Sequence, residues 1–211
     1  MLSVMIQSLA LFAVNFLIVF YLQAVRGFDP LKAALLLIPL PLVTSVMAPL
    51  SGVIADRIGA RLPATIGLLI QGAALVWFSR ITPTTPYPQI AVGLAVMGIG
   101  GGLFYPPNTS AAMNASPIHR LGIASATLAT LRQAGMVTSF AFSLAVAAAS
   151  LPKEVMMQVF VGTNVSLGSQ VMQDFVLGMH SAFLVSVVLC IIAAVISMVR
   201  GKEDRQAMKP A

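Results

Sequence analysis

Long apolar runs, interrupted by short polar segments, set the pattern of this chain. A membrane-spanning helix needs about 20 mainly apolar residues to cross roughly 30 Å of hydrocarbon. Six runs meet that requirement, and they are Leu2–Ala24, Ala33–Ala55, Leu62–Ser79, Gln89–Asn114, Leu121–Ser150 and Phe175–Val199. The first lacks a basic start and is longer than a signal-peptide core, so it too is predicted to be a membrane helix. The pattern predicts an all-α membrane protein, with six transmembrane helices over residues 1–200 and a polar tail at 201–211.

Composition excludes a water-soluble fold. Of the 211 residues, 58% are hydrophobic and 9% are charged, whereas soluble domains carry about 25% charged residues. The net charge of +6 comes from basic residues that stand singly between apolar runs, which does not predict a nucleic-acid surface. The single cysteine, Cys190, lies inside an apolar run, so no disulfide or zinc site is expected within the chain.

Basic residues between the runs predict the orientation. Cytoplasmic loops of membrane proteins carry an excess of Lys and Arg. With six spans both termini lie on one side, and that side would hold the larger set of basic residues: Arg57, Arg61, Arg120, Arg200, Lys202, Arg205 and Lys209, against Arg26, Lys32, Arg80 and Lys153. We therefore expect a multi-pass protein of the cell membrane with both termini, including the tail, in the cytoplasm.

The predicted outer side has two further features. Tyr21, Trp77 and Tyr87 fall at the outer ends of their runs, where amphipathic rings favour the headgroup zone. The long loop 151–174 lies on the same side. Its sequence indicates no function.

Prolines and glycines predict local features of two runs. Asp29 followed by Pro30 is a favourable helix start, because Asp accepts hydrogen bonds from free N–H groups and Pro there loses none. The second run contains prolines that favour a bend, namely Pro39, Pro41 and Pro49. The fourth run is predicted to approach a neighbour closely and to kink in its lower part, because of Gly98, Gly100, Gly101, Gly102, Pro106 and Pro107.

The segment between the second and third runs reads GVIADRIGAR and contains Gly52, Asp56, Arg57, Gly59 and Arg61. The arginines favour the cytoplasmic side, Asp56 can accept from backbone donors or sit at a helix N-terminus, and Gly52 permits close helix contact. The segment resembles the signature loop G-x-x-x-D-R-x-G-x-R of the major facilitator superfamily, which recurs between the second and third helices of each six-helix half. The resemblance implies a loop that latches two halves together and helps to set their conformational equilibrium.

Further resemblance extends along nearly the whole chain and points to the C-terminal half of the fourteen-helix drug:proton antiporters. It rests on four stretches in order: YLQAVRGFDPLKAALLLIPL from Tyr21, GGGLFYPPNTSAAM from Gly100, GIASATLATLRQAG from Gly122 and MHSAFLVS from Met179. It implies one half of the major facilitator fold, surrounded by lipid, with small hydrophobic or amphipathic compounds and protons as substrates. It also implies a partner: an N-terminal half of six to eight helices, as a separate chain or as missing sequence, or a second copy.

Polar groups inside a bilayer indicate a transport pathway or a coupling site. Arg132 stands about 11 residues into the fifth run, hence about 16 Å deep at 1.5 Å per residue, and is predicted to face the bundle interior or the cavity between two halves. The candidate pathway is Arg132, Gln133, Asn15, Tyr105 and Asn108, and Gln71 and His180 are further embedded polar residues. The structural alternatives are an arginine bound to backbone carbonyls and amides that join helices by hydrogen bonds.

Proton coupling needs a group that exchanges protons, and no carboxylate lies within a run. The six acidic residues fall in loops, at helix ends or in the tail, at Asp29, Asp56, Glu154, Asp174, Glu203 and Asp204. This chain alone is therefore not expected to couple protons to export.

Two functions remain open at this point. The first is half of an alternating-access exporter, in which two bundles rock around a central site. The second is a truncated or non-transporting membrane subunit. A membrane enzyme is not supported, because no paired carboxylates, metal-ligand cluster, nucleophile with a base or phosphate-binding loop is present. We expect no catalytic residue, metal or cofactor.

Overall fold

The fold is entirely helical in the part of the chain that the structure describes. The computed structural model describes residues 2–150 and 169–199, so most of the loop 151–174 and the tail lie outside it. Its α-helices are α1 Leu2–Phe20, α2 Pro30–Leu35, α3 Pro39–Ile58, α4 Arg61–Phe78, α5 Tyr87–Asn114, α6 Leu121–Ser150 and α7 Ser169–Val199. A π-helical turn, Tyr21–Val25, extends α1. The prediction of an all-α bundle of six long helical segments is confirmed, with α2 and α3 together forming the second.

Five of these segments are long and apolar enough to cross a membrane, counted over the described residues. They are α1 with its π-helical turn, the α2–α3 span, α4, α5 and α7. The exception is α6, whose sequence includes Arg132 and Gln133. This helix has 30 residues and packs against α1 and α7, so it belongs to the same bundle.

The start of α2 follows the predicted cap. Asp29 is the N-cap residue, and its carboxylate accepts a hydrogen bond from the Lys32 amide at 3.2 Å. Pro30 occupies the first helical position, where its missing N–H would be unpaired in any case.

The bend predicted in the second run is a break between α2 and α3. The amides of Leu37 and Ile38 bond to carbonyls three residues earlier, which tightens the chain as in a 3-10 turn. Pro39, which has no N–H to continue the α2 ladder, then starts α3. By contrast, α5 continues through Pro106 and Pro107 without interruption.

The last helix begins earlier than predicted. α7 starts at Ser169 rather than at Phe175, so Asp174 lies in a helix instead of a loop. The residues that precede Phe175 are mostly polar and gave no apolar signal for a helix.

The helices form two groups of three that repeat one contact pattern. α5 packs against α3 and α4, α1 packs against α6 and α7, and α4 joins the groups through α7. If the first span is exchanged with the fourth, the second with the fifth and the third with the sixth, the same list of contacts results. Because three spans reverse the direction of the chain, the two groups run in opposite senses, as in the inverted repeats of transporters.

Glycines bring the helices around α5 into backbone contact. A Cβ added at Gly67 of α4 would lie 2.6 Å from the Gly100 carbonyl oxygen and 2.9 Å from the Phe104 nitrogen of α5. On another side of α5, a Cβ at Gly98 would lie 2.7 Å from the Leu40 carbonyl oxygen of α3. The close approach predicted for the fourth run is therefore made with two neighbours, through small residues.

Burial is uneven among the spans. In its most apolar stretch, 61% of the residues of α5 are buried within the bundle, but only 6% of those of the α2–α3 span. One face of α3 packs on α5. The span also exposes a stripe of large apolar side chains, Leu31, Leu35, Ile38, Leu42 and Val46. An apolar surface of this length requires lipid or another protein against it.

One end of the bundle is fixed by a set of side-chain hydrogen bonds that we name the clasp. It joins the loop between α4 and α5 to two other segments: His180 Nε2 to the Ile81 carbonyl oxygen at 2.6 Å, Tyr21 Oη to that of Thr82 at 2.7 Å, and Arg26 Nη1 to that of Pro83 at 3.3 Å. A carbonyl oxygen only accepts, so Nε2 of His180 carries the proton. Three successive carbonyls thus receive donors from the end of α1 and from α7.

The aromatic residues predicted to lie at helix ends are found at this same end. Besides Tyr21, Trp77 Nε1 donates to the Gln89 carbonyl at 3.1 Å, and the Tyr87 hydroxyl donates to the Leu36 carbonyl at 3.1 Å. Their rings therefore mark one end of the bundle, as aromatic residues at a membrane interface do.

Candidate functional site

A pocket of about 260 Å³ lies between α1, α3, α4 and α5. Its lining is Leu11, Asn15, Leu40, Pro41, Thr44, Ser45, Gln71, Met97, Gly101 and Tyr105. Pro41 and Ser45 are exposed, so the pocket opens at the surface of the chain beside α3. An apolar pocket with a few converging polar groups is the usual form of a small-molecule site.

Two glutamines and a tyrosine from three helices meet at this pocket. Gln7 of α1 and Gln71 of α4 are 0% and 1% exposed, and Gln7 Nε2 donates to Gln71 Oε1 at 3.4 Å. The Gln7 side chain also interacts with the Tyr105 hydroxyl of α5. Gln7 Oε1 is buried and has no hydrogen-bond partner in the described part of the chain. Leaving such an acceptor unpaired costs about 1–3 kcal/mol, so the network has capacity for a further polar partner.

Of the five predicted pathway residues, two line the pocket, and Asn108, Arg132 and Gln133 do not. Asn15 and Tyr105 are part of the lining. Asn108 is 1% exposed and accepts a hydrogen bond from the Ser3 hydroxyl of α1 at 3.5 Å. Asn108 therefore has the interhelical role that was the structural alternative.

Arg132 and Gln133 lie outside the packed interior of the bundle. Both side chains are exposed on α6, which excludes the bundle interior as the environment of Arg132. The guanidinium is close enough to the Tyr105 hydroxyl to interact with it electrostatically. Gln133 follows Arg132 about 100° further round the helix.

The signature segment turns the chain sharply between α3 and α4. Only Gly59 and Ala60 separate the two helices. Gly59 has φ 92° and ψ 153°, and its amide bonds to the Ala55 carbonyl at 2.8 Å. Residues with a Cβ essentially do not adopt this backbone region. This conformation explains why position 59 is a glycine, which the sequence alone did not.

The charged side chains of the signature segment are exposed. Asp56 lies in the last turn of α3, not at a helix N-terminus, and it is exposed, as are Arg57 and Arg61. A Cβ on Gly52 would meet nothing within 4 Å. The close helix contact expected at Gly52 is therefore not made within the described chain.

Sequence reasoning missed three polar residues at or beside the pocket, Gln7, Thr44 and Ser45. Gln7 had a usable signal, because an uncharged polar side chain inside an apolar run needs a partner. Thr44 and Ser45 had none. The Thr44 hydroxyl donates to the Leu40 carbonyl of its own helix at 2.8 Å, a local bond that any helical threonine can make. Its second acceptor, the Gly98 carbonyl of α5 at 3.2 Å, depends on helix packing.

The described acidic residues lie away from the pocket. Asp29, Asp56 and Asp174 are exposed and close to helix ends. Across the pocket lining there is no ionisable side chain apart from the Tyr105 phenol. The site that this chain builds is therefore polar but uncharged.

Comparison with known proteins agrees with this architecture. Residues 1–140 match the family described as Major Facilitator Superfamily. The chain is 34% identical to the transporter YebQ of Escherichia coli K12 over 188 residues, which are 88% of this chain and 35% of that protein.

Two relatives whose names state a role or a substrate match a shorter region. Multidrug resistance protein Stp of Mycobacterium tuberculosis H37Rv is 35% identical over 133 residues, 62% of this chain and 24% of that protein. Riboflavin transporter RibZ of Clostridioides difficile is 29% identical over 130 residues, 62% of this chain and 28% of that protein. The chain thus spans between 24% and 35% of the length of these three relatives.

Proposed function

The chain belongs to the major facilitator superfamily, and we propose that it forms the C-terminal six-helix half of a proton-coupled exporter of small hydrophobic or amphipathic compounds. Family membership makes it a multi-pass membrane protein of the transporter kind rather than an enzyme. The two groups of three helices and their opposite senses support its role as one half of an alternating-access transporter.

The observation that carries the proposal is the uncovered surface of α3. Pro41, Ser45, Ala48 and Gly52 follow one another at spacings of four, three and four, and therefore share a face of the helix. Two of them line the mouth of the pocket, and Gly52 has open space around it. Small residues let helix backbones approach closely, so this face suits a second bundle better than lipid does.

The large apolar side chains of the same span occupy a different face. The stripe from Leu31 to Val46 is exposed and suits lipid tails. In the assembled transporter we propose that the Pro41–Gly52 face meets the N-terminal half across the substrate cavity, with the signature segment as the latch at its end. Arg132 then lines that cavity from α6.

The names of two relatives bear on the cargo. Stp is named as a multidrug resistance protein and RibZ as a riboflavin transporter. Both names fit compounds that combine apolar rings with polar groups, which is the chemistry of the pocket lining. Drug export is the proposed role, with a flavin-like nutrient as the competing cargo.

Proton coupling is proposed to come from the second half. The described carboxylates of this chain are exposed near helix ends, where they have free access to water on one side only. A coupling acid must exchange protons with both sides in turn, hence from within the membrane. We further propose that both termini are cytoplasmic, which follows from the distribution of basic residues.

Efflux from cells tests the proposal. Cells that lack their own major exporters are loaded with Nile red, and its efflux is followed with this chain alone, with a candidate N-terminal half alone and with both. Efflux that requires both chains and stops when a protonophore removes the proton gradient is the expected result. Efflux by this chain alone contradicts the claim of an incomplete transporter, and no efflux with any N-terminal half supports the non-transporting subunit.

A matched pair of leucine variants tests the interface. Gly52→Leu places a bulky side chain on the Pro41–Gly52 face, whereas Val53→Leu enlarges the next residue, which is 55% exposed on another face. We expect Gly52→Leu to abolish efflux and copurification with the N-terminal half while the amount of chain in the membrane is unchanged. Val53→Leu is expected to leave all three as they were. Equal behaviour of the two variants contradicts the proposed interface.

A further inference from the structure

The four glycines between positions 98 and 102 of α5 face three different surroundings. A Cβ at Gly98 or Gly102 would meet α3, with Gly102 overlapping Met47, and a Cβ at Gly100 would meet the backbone of α4. These three glycines are required for helix packing.

Gly101 differs from the others because it faces the pocket. A Cβ there would lie 3.3 Å from Gln71 Nε2, 3.6 Å from Thr44 Oγ1 and 3.8 Å from Tyr105 Cε2, and all three residues line the pocket. None of these atoms belongs to the backbone. A side chain at 101 would therefore occupy ligand space without forcing the helices apart.

Around Gly101, more polar groups are available to donate a hydrogen bond to a ligand than to accept one. Gln71 Oε1 is engaged by Gln7, so the Gln71 amide group presents its N–H bonds. The Tyr105 hydroxyl carries one rotatable O–H that can donate. The single hydroxyl hydrogen of Thr44 is shared between two carbonyl oxygens, that of Leu40 at 2.8 Å and that of Gly98 at 3.2 Å, so it is not available to a ligand. Two donors, Gln71 and Tyr105, thus face one small space.

The lining also disfavours a charged ligand group. The pocket has no carboxylate, ammonium or guanidinium in its lining, and burial of an unpaired charge is costly. The Arg132 guanidinium, which acts electrostatically on the Tyr105 hydroxyl, is exposed and lies outside the lining. Its volume of about 260 Å³ exceeds the roughly 150 Å³ of a cavity that holds benzene. A bicyclic ring that carries a carbonyl oxygen fits both the size and the two donors.

We propose that this pocket binds the uncharged, carbonyl-bearing ring portion of the transported compound through Gln71 and Tyr105, and that the missing side chain of Gly101 sets the size of the ring it accepts. This inference rests on the proposed function, since it assigns a substrate class to the same half-site. Any charged part of the compound then binds outside this pocket, towards the second half.

Thiol labelling tests the inference on the full chain without any transport. Ser45→Cys puts a reactive thiol at the exposed mouth of the pocket, and the native Cys190 is 1% exposed, so it stays unreactive while the chain is folded. The probes share one ring system: neutral 2-quinolone, anionic quinoline-2-carboxylate and cationic N-methylquinolinium. At a concentration about ten times its Kd, a ligand slows maleimide labelling about tenfold by mass action. We expect 2-quinolone alone to do so.

Substitutions at Gly101 then test the size role. In the Ser45→Cys background, Gly101→Ala is expected to weaken protection by 2-quinolone and Gly101→Val to abolish it, with no labelling of Cys190. Gly122→Val, whose Cβ meets nothing within 4 Å, is the control and should keep full protection.

The outcomes separate the claims. Protection by the charged probes as strong as by 2-quinolone, or no protection by any probe, overturns the substrate class. Protection unchanged in Gly101→Val overturns the size role. Because labelling needs no second half and no gradient, these results do not depend on whether efflux is observed, and failure of efflux does not alter them.

Discussion

The clasp and the signature segment lie at opposite ends of α4 and are built in opposite ways. α4 has 18 residues, so about 27 Å separates its ends. At the clasp, Tyr21, Arg26 and His180 each donate a hydrogen bond to a carbonyl of one loop. At the signature segment, the side chains of Asp56 and Arg61 are exposed. One end is bound to its own bundle, and the other presents its polar side chains outwards.

The two ends therefore suit different tasks: the clasp keeps the half rigid, and the signature segment is available to bind the other half. A half that rocks as one body needs its helices fixed to each other, which the clasp and the glycine contacts achieve. It also needs a surface that binds the other half differently in each state. The exposed side chains of the signature segment meet that second need at little cost to the folding of the half itself.

The largest effect is expected where α4 connects the two ends. Gly67→Ala puts a Cβ 2.6 Å from the Gly100 carbonyl oxygen, a backbone atom that cannot move away alone. We expect a loss of about 2–3 kcal/mol in the free energy of unfolding. The reaction of a fluorogenic maleimide with Cys190 during a temperature ramp measures it, because this thiol is exposed only on unfolding.

Gly72 of the same helix is the matched control. Its nearest neighbour for a Cβ is Cys190 Cβ at 3.8 Å, an ordinary contact. Gly72→Ala should leave the melting temperature unchanged or raise it, since Ala favours a helix over Gly by about 0.5–1 kcal/mol. If the two alanine variants melt together, the close contact at Gly67 is not what holds α4 to α5.

The next effect compares one glycine at each end. Gly59→Ala in the signature segment is expected to cost about 2 kcal/mol, because its φ of 92° with ψ of 153° lies in a region that essentially only glycine adopts. Gly27, next to the clasp residue Arg26, has φ 66°, where asparagine is tolerated. Gly27→Asn should therefore melt close to the parent chain. A Gly59→Ala variant that melts like the parent refutes the strained turn.

A smaller loss of stability is expected from a direct comparison of one clasp residue with one residue of the signature segment. Tyr21→Phe removes only the hydroxyl that donates to Thr82, and we expect a loss of about 1 kcal/mol. Asp56→Asn changes an exposed side chain and should stay within about 0.5 kcal/mol of the parent chain. The same Cys190 assay measures both. A larger loss for Asp56→Asn would reverse the comparison between the two ends.

The smallest effect on folding is expected at Arg132, which belongs to neither the clasp nor the signature segment. Arg132 is exposed on α6, so Arg132→Ala should shift the unfolding free energy by no more than about 0.5 kcal/mol. Nile red efflux by the two-chain assembly should nevertheless fall strongly if the guanidinium lines the cavity. Full efflux by a variant that inserts normally removes Arg132 from the pathway.

The sequence was sufficient for elements whose cause is local. Apolar runs predict the membrane helices because a span must satisfy its backbone internally. The cap at Asp29 is likewise local, since the donor and the acceptor are three residues apart. Where the helix continued past the apolar run, as before Phe175, the local signal ended too early and the start of α7 was missed.

The site could be predicted only in part, because it depends on which helices are neighbours. Asn15 and Tyr105 stood out as polar residues in apolar runs, but nothing in the sequence paired Gln7 with Gln71 across 64 positions. The surroundings that the Arg132 side chain faces could not be predicted for the same reason. Helical spacing gives the face on which a residue lies, but the partner that the face meets depends on packing.

The clasp depends on the identity of its donor side chains but not on the side chains of its acceptor residues. Its acceptors are main-chain carbonyls of Ile81, Thr82 and Pro83, and every residue type supplies the same carbonyl. Its donors are particular side chains that few other residues can replace. In a saturation library selected for folded chain, the loop should therefore accept many substitutions while Tyr21 and His180 accept few, so that the segment most tolerant of variation is the one to which other helices are tied.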